Sequence, residues 1–388
     1  MVGSMTAVAP PSAPVPAKRD RYLDVLRAAA LIRVFFYHAF PAAWLTWLPA
    51  LGVMFALGGS LMATSADRSG IAAVRSRLRR LLPSLWVVGI IVVPLMIWQG
   101  WSTTSGDETP LRWWELGFWI LPLGNPTGSD WGVATWEVLW YITTYLWLVL
   151  LSPVLLWAFR KAPLPVIAAP LVAIGVLDGL QVSVDGQPGN VLFDVLTFAA
   201  CWLLGFAHHD GMLDRIPKRI CFAIAGTAIA AGAAWAVLLP AEPGNHELDS
   251  SPGGMALIAV GTVFVLLRFR PSMNWLRNRH TLDRIVTVMN ARALTIYLWH
   301  NIAIALAIPL AAYFGAELGW EWFLVSIVLT TAFVLALGWV EDLSARRRPQ
   351  LIPGRRAARR PEPAPRLPEP AAVTPGDTPA ADPAPGRP

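Results

Sequence analysis

"RYLDVLRAAALIRVFFYHAF", residues 21–40, is long and apolar enough to begin crossing a bilayer, yet it carries Asp24, Arg27, Arg33 and His38. A helix rises ~1.5 Å per residue, so about 20 apolar residues cross the ~30 Å hydrocarbon layer. An ionisable side chain in that layer costs roughly 2.5–3.5 kcal/mol on insertion scales, so it normally faces a cavity or a partner. The surrounding chain shows where the stretch belongs. Of its 388 residues, 55% are hydrophobic and 14% charged, against about 45–50% and about 25% in an ordinary soluble domain. Twenty tryptophans fit a protein with aromatic belts at two membrane interfaces. The fold class that follows is an all-α integral membrane protein.

Ten apolar segments read as transmembrane helices: 22–44, 47–64, 81–99, 134–158, 163–180, 190–208, 220–240, 253–269, 291–312 and 320–340. The stretch 112–126 is apolar but short and broken by proline, and reads as an interfacial or re-entrant piece. Loop charge tests the count independently. Lys18, Arg19 and Arg21 hold the N-terminus in the cytoplasm, because basic loops stay on that side. The same side then receives Arg68, Arg75, Arg77, Arg79 and Arg80; Arg160 and Lys161; Arg215, Lys218 and Arg219; Arg268, Arg270, Arg277, Arg279 and Arg284; and Arg346, Arg347 and Arg348. The opposite loops hold a lone basic residue, Arg112, among eight acidic ones, including Asp130, Asp185 and Asp249. Both termini are therefore expected in the cytoplasm of a cell-membrane protein.

Residues 20–344 form the expected ten-helix membrane domain. They lie between a disordered N-terminus at 1–19, which lacks the apolar core of a signal peptide, and a Pro- and Arg-rich tail at 345–388 that has too little apolar surface to fold. The net charge of +6 sits in loops and tail, not along one face, which argues against nucleic acid. Cys201 and Cys221 fall in or beside apolar segments and imply no disulfide framework.

Within the first helix, residues advance ~100° each, so Arg27 and His38 differ by about 20° after whole turns and share a face, ~16 Å apart along the axis. Arg33 is about 140° round from His38. Asp24 and Arg27 are three apart and can also be read simply as a local ion pair. A histidine inside a bundle is often only a packing residue.

The order of residues here resembles the opening of the acyltransferase-3 family of membrane acyltransferases: Leu23-Asp24, then Leu26-Arg27, then ten residues and His38. Two further stretches are similar to that family. "WEVLWYITTYLWLVLLSP" (136–153) matches its Leu-Trp-Tyr-Leu segment, and "ALTIYLWHN" (293–301) its late Ile-Tyr-Leu-x-His segment. The resemblance covers about residues 19–342 and includes the ten-helix count. It implies transfer of an acyl group from a cytoplasmic donor such as acyl-CoA to a hydroxyl on a carbohydrate or other cell-envelope molecule, with Arg27 and His38 as the functional pair. Arg33 and Tyr37 depart from the apolar residues expected at their positions. No hydrolase-like extracellular domain follows, so stand-alone action is expected.

The chemistry suits these residue types. Attack by a hydroxyl on a thioester releases a proton, and histidine takes protons near neutral pH; His38 is the expected base, although a role as acyl carrier is equally open. The guanidinium fork binds phosphate oxygens in pairs, which makes Arg27, and with it Arg33, a candidate for the donor. Glu137 is the candidate orienting partner of His38, since the fourth span brings it to a similar depth. Glu137, Tyr141 and Tyr145 follow at helical spacing as one polar stripe, and Tyr297, His300 and Asn301 form another on the ninth span; both are read as channel or acceptor contacts. An interhelical hydrogen bond is the plainer role for the second group.

"HHD" at 208–210 has metal-like residues, but adjacent histidines diverge on a helix and no second cluster completes a site, so no metal is expected. The basic 268–284 loop is explained by topology alone, and His246 and His280 have no evident role. No cofactor is expected to be permanently bound, acyl-CoA being a co-substrate. The expected partners are membrane lipid, the acyl donor and a hydroxylated acceptor such as a glycan; oligomeric state is open. The rival class is a secondary transporter or flippase using the intramembrane Arg, His and Glu as a path, and a third is an inactive scaffold.

Overall fold

The computed structural model describes residues 20–40, 42–239, 247–315 and 319–353. The expected disordered N-terminus at 1–19, His246 and tail residues 354–388 lie outside them. The described residues hold helices and no strands. Twelve helices of six or more residues organise the chain: α1 (Arg21–Ala39), α2 (Ala50–Ser69), α3 (Ala72–Trp98), α4 (Trp140–Lys161), α5 (Pro163–Gly179), α6 (Gly186–His209), α7 (Lys218–Leu238), α8 (Pro252–Arg268), α9 (His280–Ala291), α10 (Ala293–Tyr313), α11 (Gly319–Leu337) and α12 (Trp339–Ser344).

Each of the ten predicted segments lies largely within one of these helices. Seven helical runs are long and apolar enough to cross a membrane: Ala43–Ser69, Ala72–Trp98, Asp130–Lys161, Gly186–His209, Lys218–Leu238, Ala293–Tyr313 and Trp320–Leu337. The other three fall short for identifiable reasons. Helices α5 and α8 have 17 residues each, and α1 carries Asp24, Arg27 and Arg33. The protein is a multi-pass membrane protein whose first helix is the least lipid-like of the ten.

Asp20 starts α1 by accepting the Tyr22 N–H at 3.0 Å, satisfying one of the donors that every helix start leaves open. The helix then packs against α2, α9 and α10. Its exposed residues are Ala29, Ile32 and Phe36, spaced three and four apart as one apolar stripe suited to lipid. Arg27, Arg33 and His38 are each partly buried, away from that stripe.

Helices α2 and α6 approach most closely through small residues. A Cβ added to Gly59 would sit 2.1 Å from the Trp202 carbonyl oxygen, and one added to Gly205 2.1 Å from that of Ala56. Lipid provides no hydrophobic force between helices, so such backbone-to-backbone contact supplies much of their attraction. The basic ends of the same helices are tied by charge. Arg160 of α4 reaches Asp67 at 2.8 and 3.0 Å and Asp210 at 2.9 and 3.0 Å. Replacing Gly205 with valine is therefore expected to force α2 and α6 apart at a cost of about 1–3 kcal/mol, read as a lower unfolding temperature of the detergent-solubilised protein than for a Gly226→Val control, whose Cβ meets open space.

Candidate functional site: two cavities that meet at a tyrosine

Inside the bundle, the side chains of α1 face two cavities. The first, of about 430 Å³, lies toward the basic loops and is lined by Arg27, Arg77, Arg80 and Arg347 together with Tyr141, Tyr145, Asn290, Glu341 and Tyr297. The second, of about 640 Å³, lies toward the acidic loops and is lined by His38, Arg33, Tyr37, Glu137, Asp194, Asp249, Trp136 and Trp140, again with Tyr297. Arg27 and His38 were expected to act as a pair from one face of the first helix, with the polar stripes of the fourth and ninth spans as channel contacts. The structure instead divides the path into two chambers, and among the described residues Tyr297 is the one that lines both.

Arg27 donates to Asn290 Oδ1 at 3.3 Å, and Asn290 Nδ2 in turn donates to the Asp24 carbonyl at 2.8 Å. The Asp24 carboxylate takes Arg21 at 3.0 Å, and Arg21 also bonds Asp283 and Thr287 of α9. Helix α9 thus holds the start of α1 and steadies the guanidinium at the cavity wall. Arg77 and Arg80 were assigned to loop topology by the sequence; the first turns of α3 carry them into the wall beside Arg27. A spacing of three residues ahead of an apolar helix was the signal available for them.

Arg33, expected with Arg27 at the donor, opens into the other cavity. Its guanidinium bonds the Leu45 carbonyl and lies 5.0 Å from the centre of the Tyr37 ring, and the Tyr37 hydroxyl donates to Asp249 at 3.0 Å. Arg33 lies about 120° round from Arg27 and ~9 Å further along α1, and at that height it shares its chamber with His38.

The imidazole of His38 is 5.1 Å, centre to centre, from that of His300. His300 is 1% exposed, and its Nδ1 lies 2.6 Å from the Tyr297 carbonyl. Only a protonated Nδ1 can donate to a carbonyl, so in the neutral ring Nε2 is left as an acceptor; it is buried and has no hydrogen-bond partner among the described residues. Glu137, expected as the orienting partner of His38, lines the same cavity but is exposed, and no hydrogen bond joins it to His38 among the described residues. The neighbour that the fold gives His38 is His300.

The predicted stripe of Glu137, Tyr141 and Tyr145 is broken. Residues 130–139 run through short 3-10 and α turns, with Glu137–Leu139 a 3-10 turn, before α4 begins at Trp140. Glu137 therefore opens into the larger cavity and the two tyrosines into the smaller one. Tyr141 stacks between Phe55 at 4.8 Å and Tyr297 at 4.9 Å. On α10, the Tyr297 hydroxyl donates to the Val138 carbonyl at 2.6 Å and Asn301 Nδ2 to that of Ala134 at 2.8 Å. These two residues serve first as anchors for carbonyls that the broken segment leaves without a helical partner.

His208 and His209 both reach α2, at Ser60 and Thr64, each 3.0 Å away. His209 also lies 2.8 Å from Asp67, close to Asp210. The positive charge between those two carboxylates is the Arg160 guanidinium, which makes this a protein ion-pair cluster.

The described residues form an all-helical, multi-pass bundle in which a basic chamber and a histidine-bearing chamber adjoin at Tyr297. A family model described as an acyltransferase domain matches residues 20–339. The chain belongs to the acyltransferase-3 family of membrane acyltransferases. No curated protein and no solved structure matches it significantly.

Removing the Tyr297 hydroxyl tests the anchoring role. Tyr297→Phe leaves the Val138 carbonyl without its donor, which is expected to cost about 1–3 kcal/mol and to speed amide exchange across 133–139 while leaving α7 and α8 unchanged.

Proposed function

We propose that the protein is an O-acyltransferase that takes an acyl group, acetyl in the simplest case, from cytoplasmic acyl-CoA and passes it to a hydroxyl of a carbohydrate or related cell-envelope acceptor. Family membership supplies the reaction class. The observation that carries the rest is the placement of Arg27 and His38 in two successive chambers that meet at Tyr297.

The basic loops put the smaller chamber on the cytoplasmic side by the positive-inside tendency. Its guanidinium groups are suited to the phosphates of CoA, because the planar fork pairs with phosphate oxygens. The thioester arm extends from there past Tyr297 toward His38, a rise of ~16 Å along α1. The larger chamber then receives the acceptor. Its carboxylates and the hydrogen-bonded pair Asn125 and Gln187 match sugar hydroxyls, and Trp136 and Trp140 offer flat apolar faces.

The acceptor oxygen attacks the thioester carbonyl carbon; a C–O bond forms and the C–S bond breaks. His38 takes the hydroxyl proton during attack and returns it to the departing thiolate, so CoA leaves as the thiol. His300, with Nε2 available as an acceptor, positions the His38 ring. Arg33 belongs to the acceptor chamber, where it holds the Tyr37–Asp249 wall.

The test is turnover of labelled acyl-CoA by the purified protein in lipid nanodiscs. His38→Ala is expected to lower kcat by at least about a hundred-fold, and Arg27→Ala to raise the KM for acyl-CoA about ten-fold with a smaller change in kcat. An active His38→Ala enzyme would reject His38 as the base, and movement of a solute with no acyl turnover would reject the enzyme and favour the transporter class.

A further inference from the structure

The family domain ends at residue 339, but the basic chamber does not. Glu341, Ala345 and Arg347 line it alongside Arg27, Arg77 and Arg80. These later residues belong to α12 and the turn after it, and they are firmly built in. The Glu341 carboxylate accepts the Thr295 backbone N–H at 2.7 Å, capping the start of α10. Arg292, 0% exposed, donates to Asp342 at 2.7 Å and to the Gln350 carbonyl, while the Gln350 N–H returns to Asp342 at 3.1 Å. Gly338 leaves room for this, since a Cβ there would sit 2.6 Å from Arg292 Nε. A buried cation paired on both sides of the turn fixes where that turn goes.

The turn itself is specific. The Arg346 N–H bonds the Leu343 carbonyl at 2.9 Å and the Arg347 N–H that of Asp342 at 2.7 Å, with Arg346 at φ 56°. This pair of bonds around a left-handed residue is the motif that commonly ends helices, usually with glycine in that place. Of the two arginines, Arg347 lines the chamber. Its side chain is 56% exposed and steadied by Asp342 at 3.5 Å, so its guanidinium has donors to spare for an anion.

We infer that the segment Val340–Gln350 completes the donor site from beyond the residues that the family model matches, with Arg347 taking a phosphate group of the nucleotide end of the acyl donor. This rests on the reading of the basic chamber as the acyl-CoA site. The same guanidinium chemistry would also hold an anionic lipid headgroup, so the test separates the two.

CoA binding by calorimetry and the KM for acyl-CoA are measured on the full chain, in nanodiscs of phosphatidylcholine alone and with added phosphatidylglycerol. Arg347→Ala is expected to weaken CoA binding and raise KM about ten-fold in both lipids, with kcat changed less than about two-fold, and Arg347→Lys to recover part of the loss. Arg346→Gly removes an equal charge, suits the left-handed backbone, and is expected to match the unmodified protein. An Arg347→Ala protein indistinguishable from Arg346→Gly overturns the inference, as does a loss confined to phosphatidylglycerol discs, which would make Arg347 a lipid contact. The two readings fail separately. Acyl turnover with no effect of Arg347 removes the inference alone, while CoA binding that depends on Arg347 without any acyl turnover supports it and removes the reaction.

Discussion

Charge inside hydrocarbon has to be turned away from lipid, and in this protein that constraint acts first on α1. The helix exposes Ala29, Ile32 and Phe36 and sends Arg27, Arg33 and His38 inward. Three inward-facing polar side chains on one helix cannot be covered by apolar neighbours without leaving their donors and acceptors unpaired. The surrounding helices therefore leave two chambers with polar walls, and the bundle is organised around them. Helices α2 and α6 pack closely on each other through Gly59 and Gly205.

The second consequence is the broken run before α4. A regular helix through 130–139 would have carried Glu137 in line with Tyr141 and Tyr145. The chain instead turns in short 3-10 and α segments there, and irregular backbone at depth is tolerated where protein groups satisfy it. Tyr297 and Asn301 supply those bonds from α10. The same Tyr297 stands at the wall of both chambers, so the residue that satisfies the irregular segment also marks where the two cavities meet. The wall between the chambers is in this way tied to the packing of residues 133–139 against α10.

Basic residues on one side of the bundle do two things. They orient the chain in the bilayer, and a subset of them, Arg77, Arg80 and Arg347, joins Arg27 at a cavity. Topology explains the loop arginines equally well from sequence, which is why the sequence reading singled out Arg27 and Arg33 and passed over these three. The distinction is one of direction: Arg346 and Arg347 are adjacent and chemically identical, and only the turn that ends α12 brings one of them to the chamber. Arg33 teaches the same lesson in reverse. Its charge invited grouping with Arg27, while its place six residues further along α1 puts it at the level of His38 and the larger chamber.

Apolar content, the spacing of ten hydrophobic segments and the alternation of loop charge determined by themselves that this is a multi-pass helical membrane protein, because burial in lipid depends on composition over about 20 residues and needs no knowledge of neighbours. The three family-like segments, together with the helical angle between Arg27 and His38, also pointed to these two residues as turned away from lipid on the first helix, and both are partly buried there. Only the tertiary structure decided that this pair serves two chambers, that His300 and not Glu137 stands beside His38, and that a segment past the family domain enters the site. Those facts depend on where helices distant in the chain cross and where a backbone departs from helical geometry, and side-chain periodicity along one helix carries no record of either.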